Sequence, residues 1–167
     1  MPWKLLSGTS RKIMMNEPTA VVALPEIVQS RIFSVSPEVL FKAWSDPRSL
    51  SMWMQPGDEM RPATVKVDFR VGGEFSIIMH GKEQDYAHVG RYLEIEPSRK
   101  LVFTWVSLWF PPAEQATRVT LTLESAGEGQ TKLILVHDQL PPSGSYDNHL
   151  HGWARILDNA IAGMCGN

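Results

Sequence analysis

Apolar positions along the chain follow two periods. Residues 26–35, EIVQSRIFSV, are rich in β-branched side chains and read as a strand. Val39, Leu40, Ala43 and Trp44 then recur at helical spacing. Ser36-Pro37 and Asp46-Pro47 each set a capping residue before a proline suited to a first helical turn. Two short helices are expected, ending near Trp53, with QPGDEMRP as the break. The period then becomes two. ATVKVDFRV and EFSIIMHG flank Gly72-Gly73, a hairpin signal because glycine accepts positive φ. DYAHVGRYLEIEP and KLVFTWVSLWF follow, separated by Ser98-Arg99, and ATRVTLTLES and TKLILVHDQL flank AGEGQ. Thr117, Val119, Leu121 and Leu123 alternate with Arg118, Thr120, Thr122 and Glu124, so this strand has one buried and one wet face. About six strands joined by tight turns make an antiparallel sheet. Helical spacing returns in the last segment. There Leu150, Trp153, Ile156, Leu157, Ala160, Ile161 and Met164 form one apolar stripe, with Asp147 as the expected N-cap.

This order, without repeat or linker, predicts one α+β domain over residues 23–167. A chain of 167 residues with 43% apolar content can bury a sizeable core. The formal charge is −2 and there is no basic block, so neither nucleic acid nor an anionic membrane is an expected partner. No apolar run approaches the roughly 20 residues of a spanning helix. The one cysteine, Cys165, cannot form an internal disulfide, and a cytoplasmic location is expected. Residues 1–22 carry Lys4, Arg11 and Lys12 with no acid before Glu17. They are read as a disordered tail, with a transit peptide or a start at Met14 or Met15 as alternatives.

Several local strings resemble one family. They are Arg31 with Phe33; Ser36-Pro37-Glu38 with Phe41, Ala43 and Trp44; and Asp46-Pro47 with Trp53. Further along come Asp68, Gly72-Gly73 and Phe75; Gly90-Arg91-Tyr92-Leu93-Glu94-Ile95 before Pro97; KLVFTW; TKLILVH; and His149 with Gly152-Trp153. Together they resemble the homologues of the activator of the heat-shock-protein-90 ATPase, within the START and Bet v 1-like (SRPBCC) superfamily, over about residues 24–165. The resemblance implies a helix-grip fold. In it a curved seven-stranded antiparallel sheet wraps a long C-terminal helix, with two short helices and a cavity between sheet and helix. The eukaryotic activator has a separate N-terminal domain that contributes to chaperone binding, and no counterpart of it is read in this chain. Relatives bind or transform hydrophobic small molecules.

HLHGW, residues 149–153, holds two histidines that point roughly 200° apart on a helix, so they cannot share a metal. His149 lies about 60° from the stripe's centre and His151 about 140°, which puts the first at the cavity rim and the second in water. Packing and ligand contact both remain open for His149. Gly152 suits a close approach of helix to sheet, and Trp153 fills the space beneath. Trp53, Met54, Trp105 and Trp109 fall near element ends, where a cavity mouth is expected, and thioethers and flat rings suit an adaptable apolar pocket. His137 shares strand parity with Leu133 and Leu135 and is expected to face inward. The expected ligand-binding set is therefore Trp53, Met54, Trp105, Trp109, His137, His149 and Trp153. No catalytic residue, metal or cofactor is assigned, since no ligand cluster, nucleophile pair or phosphate loop is present. The expected function is binding of a small hydrophobic or amphipathic ligand. An enzyme on the same cavity (a cyclase, dehydratase or hydrolase) and a chaperone-interaction module are the alternatives. The assembly is read as monomer or homodimer.

Overall fold

The computed structural model describes residues 25–109, 116–141 and 145–164. The element order is β1 (Ile27–Phe33), α1 (Pro37–Ser45), α2 (Pro47–Trp53), β2 (Arg61–Val67), β3 (Glu74–His80), β4 (Asp85–Glu96), β5 (Lys100–Ser107), β6 (Thr117–Gly127), β7 (Gln130–Asp138) and α3 (Ser145–Met164). All seven strands pair antiparallel in the order β1-β7-β6-β5-β4-β3-β2. This is the helix-grip arrangement, with the first strand and the second at opposite edges of one sheet.

Local chemistry places the helices. Ser36 caps α1 by accepting from the Val39 N–H, and Asp46 caps α2 by accepting from the Arg48 and Ser49 N–H groups. The Ser49 hydroxyl also donates to Asp46 and holds its carboxyl below the usual range. α3 starts at Ser145, two residues before the expected cap, so Asp147 stands within the first turn, where its charge favours the helix N-terminus. The second strand ends at Val67 rather than Val71, because the chain turns away over residues 68–73. There Gly72 takes φ +82°, and the Gly72 N–H donates to the Tyr92 carbonyl.

The core lies between the concave face of the sheet and α3. Val119, Leu121, Leu133 and Leu135 face Leu157 and Ala160, all fully buried. Side-chain bonds to backbone carbonyls fix α3 at both flanks. Gln29 Nε2 donates to the Leu150 carbonyl at 2.7 Å, and Asn159 Nδ2 to the Gln55 carbonyl at 2.8 Å. Leu150 is half-buried, and the buried face of α3 instead runs through His149, Trp153, Ile156, Leu157 and Ala160. His149 thus belongs to that buried face, at 9% exposure.

Gly90 is the tightest point of the sheet. A Cβ there would stand 2.0 Å from the Thr104 carbonyl oxygen and 2.3 Å from the Phe75 ring. Gly90→Ala is therefore expected to cost about 1–3 kcal/mol through overpacking, read as a lower urea midpoint. An unchanged midpoint would mean that β4 and β5 can separate here at no cost.

Candidate functional site

Beneath α1 and α2 the interior is filled. The space among Trp44, Met54, Phe75, Tyr92, Phe103 and Trp105 is about 20 Å³, room for a single water. Trp53 does not reach an opening. It is 4% exposed and packs edge-on against Trp44, with ring centroids 4.7 Å apart. Met54 is likewise in the core, at 1% exposure. These two side chains belong to the packed wall, because α2 turns the end of its apolar face inward.

A cleft of about 540 Å³ opens between the outer ends of β3, β4 and β5, the loop after α2 and the first half of α3. Trp105, Trp109, His149 and Trp153 of the expected set line it, joined by Tyr86 and His88. Strand register explains the meeting. His88 of β4 pairs with Ser107 of β5, and Met79 of β3 with Tyr86 of β4, so inward-facing positions of three strands point to one end of the sheet. His88 stacks on Trp105 at 4.6 Å and 28°, Trp105 meets Trp153 at 5.0 Å, and Tyr86 meets Trp109 edge-on at 5.1 Å. His151 is exposed at the cleft's margin. Gly152 also borders it. A Cβ on Gly152 would meet only the Pro56 Cβ, at 3.9 Å, so this glycine is not required for close packing of helix on sheet and leaves the cleft open.

His137 is not a wall of the cleft. It is wholly buried under Trp153 and forms the centre of a directional chain of hydrogen bonds. Trp153 Nε1–H donates to His137 Nδ1 at 3.0 Å. The other ring nitrogen, Nε2, therefore carries the proton and donates to Thr117 Oγ1 at 2.6 Å, while Thr117 donates onward to the Trp105 carbonyl at 2.8 Å. Burial pushes this imidazole down to about 3, and the nearby His149 pushes it the same way, so the ring stays neutral as the chain requires. It thereby fixes the Trp153 ring and, through Thr117, the backbone at Trp105.

His149 Nδ1 donates to the Ser145 carbonyl at 2.8 Å, and its Nε2 lies 3.4 Å from Ser107 Oγ. Ser107 is 2% exposed and is not among the residues lining the cleft, so this pair is not placed to attack a substrate. His88 is 5% exposed, and burial, reinforced by His149, pushes its imidazole down to about 3. Its Nε2 accepts from Trp109 Nε1–H at 3.3 Å, which leaves the proton of the neutral ring on Nδ1. That Nδ1 has no partner at hydrogen-bonding geometry, although the Tyr86 carbonyl is near enough to raise the ring's basicity slightly. Trp105 Nε1 is also buried without a partner. Each unmet donor costs about 1–3 kcal/mol. Among the described residues no group of three or more His, Cys, Asp or Glu could hold a metal ion.

Parity could have found His88 and Tyr86, since they share the strand parity of Gly90 and Tyr92 along β4. Met60 lies on the loop before β2, and no periodic signal marks it.

Among the described residues, no helix is long and apolar enough to cross a membrane. A protein of Chromobacterium violaceum has a TM-score of 0.74 and 26% identity, over 85% of this chain and 98% of its own. The AHSA1 protein from Silicibacter pomeroyi gives 0.70 and 25%, over 84% and 98%. PFC0360w from Plasmodium falciparum, described as an HSP90 activator, gives 0.69 and 27%, over 83% and 95%. Uncharacterized protein C1711.08 of Schizosaccharomyces pombe is 27% identical over 124 residues, 74% of this chain and 32% of that protein, so the chain spans about a third of its length. The model for the activator of Hsp90 ATPase homolog 1-like proteins matches residues 34–165, and with the seven-stranded sheet closed on α3 this makes the chain a member of that family.

Proposed function

We propose that this domain binds a small amphipathic molecule in the cleft between α3 and the β3–β5 end of the sheet. The observation that carries the reading is the contrast between a packed interior that leaves about 20 Å³ and an aromatic cleft of about 540 Å³ at its end. The volume suits a drug-sized ligand. Burying ~200 Å² of apolar surface there contributes about 5 kcal/mol before the entropy cost of association, which puts micromolar affinity within reach.

Gly152→Leu tests it. The Cβ of the added side chain meets only the Pro56 Cβ, at 3.9 Å, at the cleft's border, and leucine suits a helix better than glycine by roughly 0.8 kcal/mol. Fatty acids, flavonoids and polyketide-like aromatics are expected to quench or shift the tryptophan fluorescence of the native chain. Gly152→Leu should lose at least tenfold in affinity (about 1.4 kcal/mol) with an undiminished melting temperature. Equal binding by both proteins would place the ligand elsewhere.

Action on a chaperone is the second reading, supported by the similarity to the Plasmodium falciparum HSP90 activator. It predicts stimulation of an Hsp90 ATPase that Gly152→Leu leaves intact.

A further inference from the structure

The two edges of the sheet are unlike. β2 is guarded. Pro62 offers no N–H, the register against β3 shifts between Arg61 and Thr64, α2 packs beside the strand, and the Ser51 hydroxyl donates to the Ala63 carbonyl at 2.5 Å. β1 has none of these devices. Its seven residues, IVQSRIF, pair with β7 in one unbroken register, and no described strand lies on its other side. It contains neither proline nor lysine. Val28 and Ile32, 57% and 56% exposed, stand with Ser30 on the convex face, and half-buried Val136 and Ile134 lie opposite Val28 and Ser30 on β7. α3 borders the same edge. Leu150, Ala154, Asp158 and Ile161 fall on one face of the helix by their spacing. Gln29 donates to the Leu150 carbonyl and Arg31 pairs with Asp158 at 2.9 Å, so that face runs along β1, and its three apolar side chains are only half-buried.

We propose that β1 pairs antiparallel with β1 of a second copy of this chain, about a two-fold axis at Ser30, joining the two sheets into one. The strand's own sequence points to that occupant. Read from either end, IVQSRIF runs apolar, apolar, polar, serine, polar, apolar, apolar, and its burial alternates with the same symmetry. An isologous contact needs this property, since residue i must suit residue j and j must suit i. With Ser30 facing Ser30 of the second copy, Ile27 stands opposite Phe33, Val28 opposite Ile32 and Gln29 opposite Arg31, each pair occurring twice. The Val28–Ile32 pairs join β-branched side chains that a single chain leaves in water. Arg31 is the one charged residue of the strand and is already answered by Asp158, so the seam carries no unbalanced charge. On the concave side the same axis turns the two α3 faces toward each other. Their contribution matters, because a stable interface takes roughly 800 Å² per copy, more than one strand supplies. β1 contributes nothing to the cleft's lining, so pairing leaves the cleft open.

Sedimentation equilibrium of the full chain between about 1 and about 500 µM tests this, and a reversible dimer is expected within that range. Ile32→Lys sets a charge at an exposed position of the edge and should weaken association at least about tenfold with the circular dichroism unchanged. Val28→Lys charges the same pair if that variant does not fold. Ser30→Cys, made together with Cys165→Ser, brings two thiols to the axis, within reach of a disulfide, and should give a covalent dimer on mild oxidation. Met52→Cys in the same background is as exposed but lies on α2, beside the other edge, and should stay monomeric under that oxidation. A monomer across the whole range overturns the second copy as occupant and leaves the edge to a different protein or to residues 1–24 of this chain. A dimer that Ile32→Lys leaves intact, or one that Met52→Cys crosslinks in place of Ser30→Cys, overturns the seam at β1.

Discussion

Trp153→Ala is expected to remove about 3–5 kcal/mol of folding stability, against roughly 0.5 or less for His151→Ala two residues away. Trp153 is 2% exposed, whereas His151 is exposed at the cleft margin. The indole fills the space between α3 and the sheet against Trp105, and its N–H starts the chain through His137 and Thr117 to the Trp105 carbonyl. Alanine would leave a cavity and a buried Nδ1 acceptor without a donor. Trp153→Phe separates the two losses. It keeps most of the ring and removes only the N–H, for a cost of about 1–3 kcal/mol. Urea denaturation of the three variants decides it. Equal losses at 151 and 153 would mean that α3 is rotated from this orientation.

Acid should destabilise the fold well above the range where carboxylates titrate. His88 and His137 are held near 3 by burial, against an ordinary 6.5 in the unfolded chain. Between those values the unfolded chain binds protons that the folded one refuses, so stability falls as pH falls. It is fully present above about 6.5 and declines by up to about 1.4 kcal/mol per pH unit for each imidazole. The pair together is expected to cost on the order of 5 kcal/mol at pH 4.5, a large part of the 5–15 kcal/mol typical of a domain. Urea midpoints at pH 7.5, 6.0 and 4.5 follow this directly. A flat profile across that range would show that one or both rings accept a proton in the folded state.

The sequence made the architecture legible because its two periods are clean. Alternation on β6 and helical spacing on α3 each bury one face, and the caps at Ser36 and Asp46 mark where helices begin. The cleft was harder to read, because a site is an intersection of elements. Trp105, His149 and Trp153 carry a strong apolar or aromatic signal and reach it, but Trp53 carries the same signal and packs on Trp44 instead. Nothing in composition separates the two outcomes; the direction in which α2 ends does. His137 faces inward as its parity implies, yet its depth beneath Trp153 is a property of the packed interior. Gly152 illustrates the reverse case. A glycine on a helix suggests close packing, and here it borders an opening.

Six tryptophans give the most direct test, since each indole N–H yields its own nitrogen-correlated NMR signal. Trp105, Trp109 and Trp153 line the cleft, whereas Trp44 and Trp53 pack together in the wall away from it. Adding a fatty acid, flavonoid or polyketide-like aromatic that binds, or a ligand recovered with the protein from its own host, should shift the first three signals in a saturable way and leave those of Trp44 and Trp53 in place. Shifts confined to Trp44 and Trp53, or no saturable shift at all, would contradict a binding site at the α3 end of the sheet.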